Sequence, residues 1–108
     1  MLILACCAAS VMYLMHFGRD MAYYNEAEEY VPKVWALAQE MKRYSVNQGR
    51  LPDNIQEIDE YSTTYDFHDL GRLNPVFRGS LERPLYIRIN PRYGFSISSD
   101  FRVEWLKF

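Results

Sequence analysis

Cysteine is nearly missing from this 108-residue sequence: Cys6 and Cys7 are the whole supply, and they are adjacent. Neighbouring cysteines cannot frame a disulfide-stapled mini-protein, nor supply the spaced set a structural zinc needs. An excess of basic charge is missing too. Twelve Lys and Arg stand against fourteen Asp and Glu, a net charge of −2. That excludes the whole-chain basic footprint of a nucleic-acid binder. No nucleotide loop, catalytic-triad signature, metal motif, internal repeat or low-complexity tract occurs. The expectation is a protein that is not an enzyme, with no cofactor, no metal site and no small-molecule substrate. What is abundant is apolar: hydrophobic residues make up 49% of the chain, enough for a packed domain instead of disorder.

Charge is also absent from Met1 to Phe17. Seventeen residues of helix reach about 25 Å, slightly short of a hydrocarbon core about 30 Å thick. Continuation through Gly18, with Arg19 snorkelling outward and Met21, Ala22, Tyr23 and Tyr24 forming an interfacial turn, completes a span. The reading is an uncleaved transmembrane anchor over residues 1–24 in a lipid bilayer. A small domain over 25–108 then lies outside the cytoplasm, periplasmic or extracellular. A cleaved secretory signal fits less well, because no positive n-region precedes the apolar run and no small-residue site follows it. A core helix fits the length but not the uninterrupted apolar circumference. Ala5 and Ala9, with Val11 and Leu14, are the candidates for helix packing there, since small residues four apart let another helix approach.

From residue 25 to 48 the period is helical. Ala27, Tyr30, Val31, Val34, Leu37, Ala38, Met41 and Tyr44 recur at steps of three and four. Glu26, Glu28, Glu29, Lys33, Gln39, Glu40, Lys42 and Arg43 fall between them and are assigned to the wet side. Pro32 lies inside the run; its missing amide predicts a kink or break. Gly49 reads as the left-handed residue that ends the helix, with Pro52 shortly after. Asp53 and Asn54 then suit the start of a short helical turn.

Residues 49–84 read as a loop, tied down by Tyr65, Phe67, Leu70, Leu73, Val76 and Phe77. Over 85–107 the period becomes two. Leu85, Ile87 and Ile89, then Tyr93, Phe95 and Ile97, then Phe101, Val103 and Trp105 each alternate with other residues. Three such runs make an antiparallel meander whose apolar face covers the helix stripe. The fold class is therefore α+β, a long N-terminal helix against a small C-terminal sheet.

The leading apolar helix, its amphipathic continuation and the order Tyr44-x4-Gly49-x2-Pro52-x4-Glu57 resemble the type IV pilin-like superfamily, and type II secretion pseudopilins in particular. A proline kinking the helix and a C-terminal meander match the same layout. The basic-glycine leader and early glutamate of prepilins have no counterpart here: no acidic residue occurs before Asp20. The resemblance implies a non-catalytic subunit whose helices pack with those of like subunits, with Pro32, Tyr44, Gly49 and Pro52 shaping the helix and its exit.

Three charged groupings invite other chemistry. Asp66, His68 and Asp69 are the one compact set of ligand-type residues, too few for a transition-metal site without help from elsewhere. Asp53 with Glu57 and Asp59, or Asp100, offers oxygens to calcium but matches no recognised loop. Acidic residues dominate from Leu51 to Asp69, whereas arginines dominate after Arg72. Either the acidic loop folds beside the basic sheet, or one chain's acidic edge docks on another's basic edge. Nine tyrosines favour exposed aromatic contacts. The functional expectation is a membrane-anchored structural subunit that assembles through helix and sheet-side contacts with other protein subunits. The alternative is an accessory subunit of a larger membrane complex.

Overall fold

In the structure, a computed structural model that describes residues 18–108, a long bent helix lies against a four-stranded antiparallel sheet. Helix α1 occupies residues 18–29, helix α2 occupies Val31–Gln48, and a turn at Tyr30 divides them. Pro32 explains the division. It has no N–H to offer the Glu28 carbonyl, so the helical ladder is interrupted at that point. The Tyr30 amide instead donates to the Ala27 carbonyl at 3.1 Å, and the Val34 amide to the Tyr30 carbonyl at 2.9 Å. Tyr30 stays right-handed (φ −85, ψ −11), so the chain bends without stopping.

Gly49 ends α2 at φ +71, with its amide donating to the Ser45 carbonyl at 2.9 Å. No neighbouring atom would crowd a Cβ there, so any penalty for a side chain is purely that of the left-handed backbone. Gly49→Val is expected to cost about 1–2 kcal/mol of stability in a denaturant titration. Equal midpoints for variant and parent would contradict the cap.

Residues 49–84 are more than loop. Asn54 caps helix α3 (Ile55–Tyr61), its Oδ1 accepting the Glu57 amide at 2.9 Å. A single helical turn, α4, follows at His68–Gly71. Strand β1 (Val76–Phe77) then pairs antiparallel with β2 (Leu85–Arg88), Val76 opposite Tyr86 and Phe77 opposite Leu85. Strands β3 (Tyr93–Ile97) and β4 (Val103–Lys107) complete the order β1-β2-β3-β4. The expected three strands are thus four. Two residues are too short to show alternation, and pairing with β2 creates the extra strand.

Cross-strand register aligns Ile87 with Phe95 and Phe95 with Trp105 on one face. Leu85 and Ile97 share that face, and these strand residues close on Val34, Leu37, Ala38 and Met41 of α2. Ile58, Phe67 and Leu70 seal the core from the α3–α4 side. Glu40 corrects the polar assignment of the helix. It is 3% exposed, on a helix that also packs against α3. One of its carboxylate oxygens accepts from Arg43 at 3.1 Å and the other has no hydrogen-bond partner.

The expected single-pass anchor is overturned. Among the described residues no helix is long and apolar enough to cross a membrane. The stretch meant to complete the span carries Arg19 and Asp20, and α1 goes on to Glu26, Glu28 and Glu29. Burying such charges in hydrocarbon is costly. The transmembrane, lipid-embedded reading and the placement of 25–108 outside the cytoplasm that followed from it are withdrawn. Ala5, Ala9, Val11 and Leu14 lie outside the described residues.

Candidate functional site

Two structured junctions fix the surfaces available for function. The first joins α1 to the sheet. Asn90, buried in the β2–β3 turn, donates through Nδ2 to the Tyr23 carbonyl (2.9 Å) and to Glu26 Oε1 (3.2 Å). Its Oδ1 accepts the amides of Arg92 (3.0 Å) and Tyr93 (2.9 Å). One amide side chain thereby shapes the turn and holds the helix over it. Beside it Tyr24 stacks on Trp105, ring centres 5.4 Å apart and 11° from parallel, and meets Tyr93 edge-on at 5.7 Å. Phe95 supports Trp105 from the core at 4.6 Å. The result is an aromatic ledge along edge strand β4.

The second junction is the helix exit. Tyr44 is buried and its hydroxyl donates to Glu57 at 3.2 Å; Pro52 is buried next to Leu51. Glu57 also accepts the Asp53 amide at 2.9 Å and the Arg50 guanidinium at 3.2 Å. Arg50 lies over the Tyr44 ring, 5.4 Å from its centre, and Asp53 reaches on to Arg78 at 3.1 Å. These contacts clamp the end of α2 to α3 and to the segment before β2. Of the residues expected to shape the helix, Tyr44 and Gly49 lie at the end of α2 and Pro52 in the segment that leads to α3, while Pro32 lies at the bend at the other end of α2.

The Asp53 amide, then Arg50, then the Tyr44 hydroxyl hold the Glu57 carboxyl below the usual carboxylate range. A carboxyl whose pKa is lowered by folding contributes stability above its unfolded value and loses it as pH falls through the folded one. Acid is therefore expected to loosen the clamp. In denaturant titrations between about pH 6 and pH 2, Glu57→Gln should flatten the fall in stability seen in the parent. Parallel pH profiles would contradict the assignment.

Asp59, Asp66, Asp69 and Asp100, the other acidic residues singled out as candidate ligands, are engaged within the fold. Asp59 accepts the Phe67 amide at 2.7 Å, Asp66 accepts the His68 amide at 2.9 Å, and Asp69 pairs with Lys33. Arg102 pairs with Asp100 at 3.0 Å. Asp66, His68 and Asp69 thus shape α4 and tie it to α2. Among the described residues no group of three or more His, Cys, Asp and Glu is placed to hold a metal ion. The acidic segment does fold toward basic residues, but two of its partners, Lys33 and Arg50, come from α2 and its exit, and only Arg78 from the arginine-rich half.

What these junctions leave uncovered is apolar. Both tryptophans are exposed, Trp35 at 51% and Trp105 at 42%, and Val46 at 75%. Leu81 projects almost entirely into solvent beside an open groove of about 570 Å³, lined also by Arg50, Leu51, Arg78, Ser80 and Pro84. Sequence reasoning put Trp105 in the core and passed over Trp35 and Val46. The signal for Trp35 was present: it falls outside the stripe of steps of three and four, on the flank it shares with Gln39 and Lys42. No protein-family model, curated protein or solved structure matches the chain.

Proposed function

We propose that this chain is a non-catalytic structural subunit that works by packing against other protein chains. Its contact surfaces are the outward face of α2 and the aromatic ledge of Tyr24 and Trp105 on β4. The observation that carries the reading is the exposure of both tryptophans on a small domain whose core is otherwise filled. Large aromatics concentrate at protein interfaces because they bury much area with few rotatable bonds. The pairing of polar groups supports the same reading: the helix-exit and α4 carboxylates serve as caps and clamps. The likeness in layout to pilin-like subunits, a long helix leaving through Tyr44 and Gly49 and backed by a meander, points the same way.

Native purification from the cells that make the protein tests it. The parent is expected to leave in a complex of fixed stoichiometry, whether with like or foreign chains. Trp35→Glu or Trp105→Glu should release it while circular dichroism stays that of the parent. A parent that purifies alone under every gentle condition would overturn the proposal.

A further inference from the structure

The outward strip of the long helix has an order of side chains that a chance surface does not need. Glu28, Trp35 and Lys42 follow one another at intervals of seven, about two helical turns, so they fall on the same side of α1 and α2. All three are exposed, as are Gln39 and Val46 on the same side. Tyr30 remains right-handed between the two helices, which carries the helical phase through the bend. Within the described residues neither Glu28 nor Lys42 is ion-paired, although Lys33, Arg43 and Arg50 close by all are.

We infer that this strip is the contact surface for a second copy of the same chain, packed antiparallel about a two-fold axis through Trp35. An antiparallel pair sets each residue opposite the one equally far on the other side of the axis. Glu28 stands seven residues before Trp35 and Lys42 seven after, so each Glu28 faces the other copy's Lys42. The two tryptophans meet at the centre. Two-fold interfaces must be self-complementary in this way, whereas a foreign partner would place no symmetry on the order of charges. The reverse, parallel pairing would set Glu28 against Glu28 and Lys42 against Lys42, and is disfavoured by like-charge repulsion. The strip is one helix wide, so the association is of the modest kind and falls as salt rises.

This inference rests on the assembly reading above and names the partner for one of its two surfaces. Sedimentation equilibrium of the full chain under reducing conditions tests it. Glu28→Lys and Lys42→Glu should each weaken self-association by about tenfold or more, because each variant confronts like charges twice per dimer. The double variant Glu28→Lys/Lys42→Glu should recover to within about threefold of the parent, since exchange restores both pairs. Mixing the two single variants should likewise restore dimers, now as heterodimers. A parent that stays monomeric, or a double variant as weak as either single, overturns the inference. Neither result touches the assembly reading as long as Trp105→Glu still releases the chain from its native complex; that reading fails only if no complex exists.

Discussion

Gly94→Val is expected to take about 3 kcal/mol from the stability of the domain. A Cβ at position 94 would stand 2.5 Å from the Ile87 carbonyl oxygen and 3.2 Å from Arg88 Cα, both backbone atoms of the neighbouring strand. It would also meet the Phe108 ring at 3.2 Å. That ring lies over the outer face of the sheet, under the Arg88 guanidinium at 4.4 Å and against Tyr86 at 6.2 Å. Gly94 pairs with Arg88, so strand β3 cannot move aside without giving up its register with β2. Relief has to come from backbone displacement in the centre of the sheet. Overpacking of this kind costs about 3 kcal/mol, a large part of the roughly 5–15 kcal/mol that holds a domain folded. The thermal midpoint should fall by about 15 °C or more. A valine variant that melts with the parent would show that β2 and β3 are not paired as described.

Phe67→Ala should be at least as damaging, for the opposite reason. Phe67 is fully buried just ahead of α4, with its amide held by Asp59 at 2.7 Å and its ring beside Tyr65 at 5.9 Å. Truncation removes transfer energy and leaves a cavity among Ile58, Leu70 and the α2 face, a loss of about 4 kcal/mol. Phe67→Leu keeps most of the volume and should cost under about 1.5 kcal/mol. The two denaturant midpoints together separate a filled core position from a loop residue resting on the surface. Equal stability for Phe67→Ala and the parent would mean that residues 61–71 do not seal the core.

The parts of this fold that were legible in the sequence are those set by near neighbours. The α+β class followed from a change of period, 3.6 before Gly49 and two after Leu85, because each period states which side chains share a face. Pro32 and Gly49 can be read singly, one by its missing amide and the other by its missing Cβ. Three strands were visible because Leu85, Ile87, Phe95 and Ile97 alternate; β1 was not, because Val76–Phe77 becomes a strand only through β2. Burial of Glu40 was hidden for a related reason. Its helical position is polar by pattern, and only tertiary packing, which the helical period does not encode, covers it. Trp105 shows the limit in the other direction. Alternation places it correctly on the inner face opposite Phe95, but β4 is an edge strand, so that face runs out into solvent and the ring stays part exposed between Phe95 and Tyr24. An apolar run misled most: hydropathy up to Phe17 suggested a span, while the helix beyond it carries five charged residues between 19 and 29.

Photo-cross-linking from single positions in the chain's own cell addresses most directly whether the protein acts through contact. A cross-linking residue placed at 35 or at 105 is expected to give discrete protein adducts. The same residue at Thr63, an exposed polar position just after α3 and on neither proposed surface, should give none. Adducts equally strong from all three positions, or absent from 35 and 105, would contradict a subunit that works through those two faces.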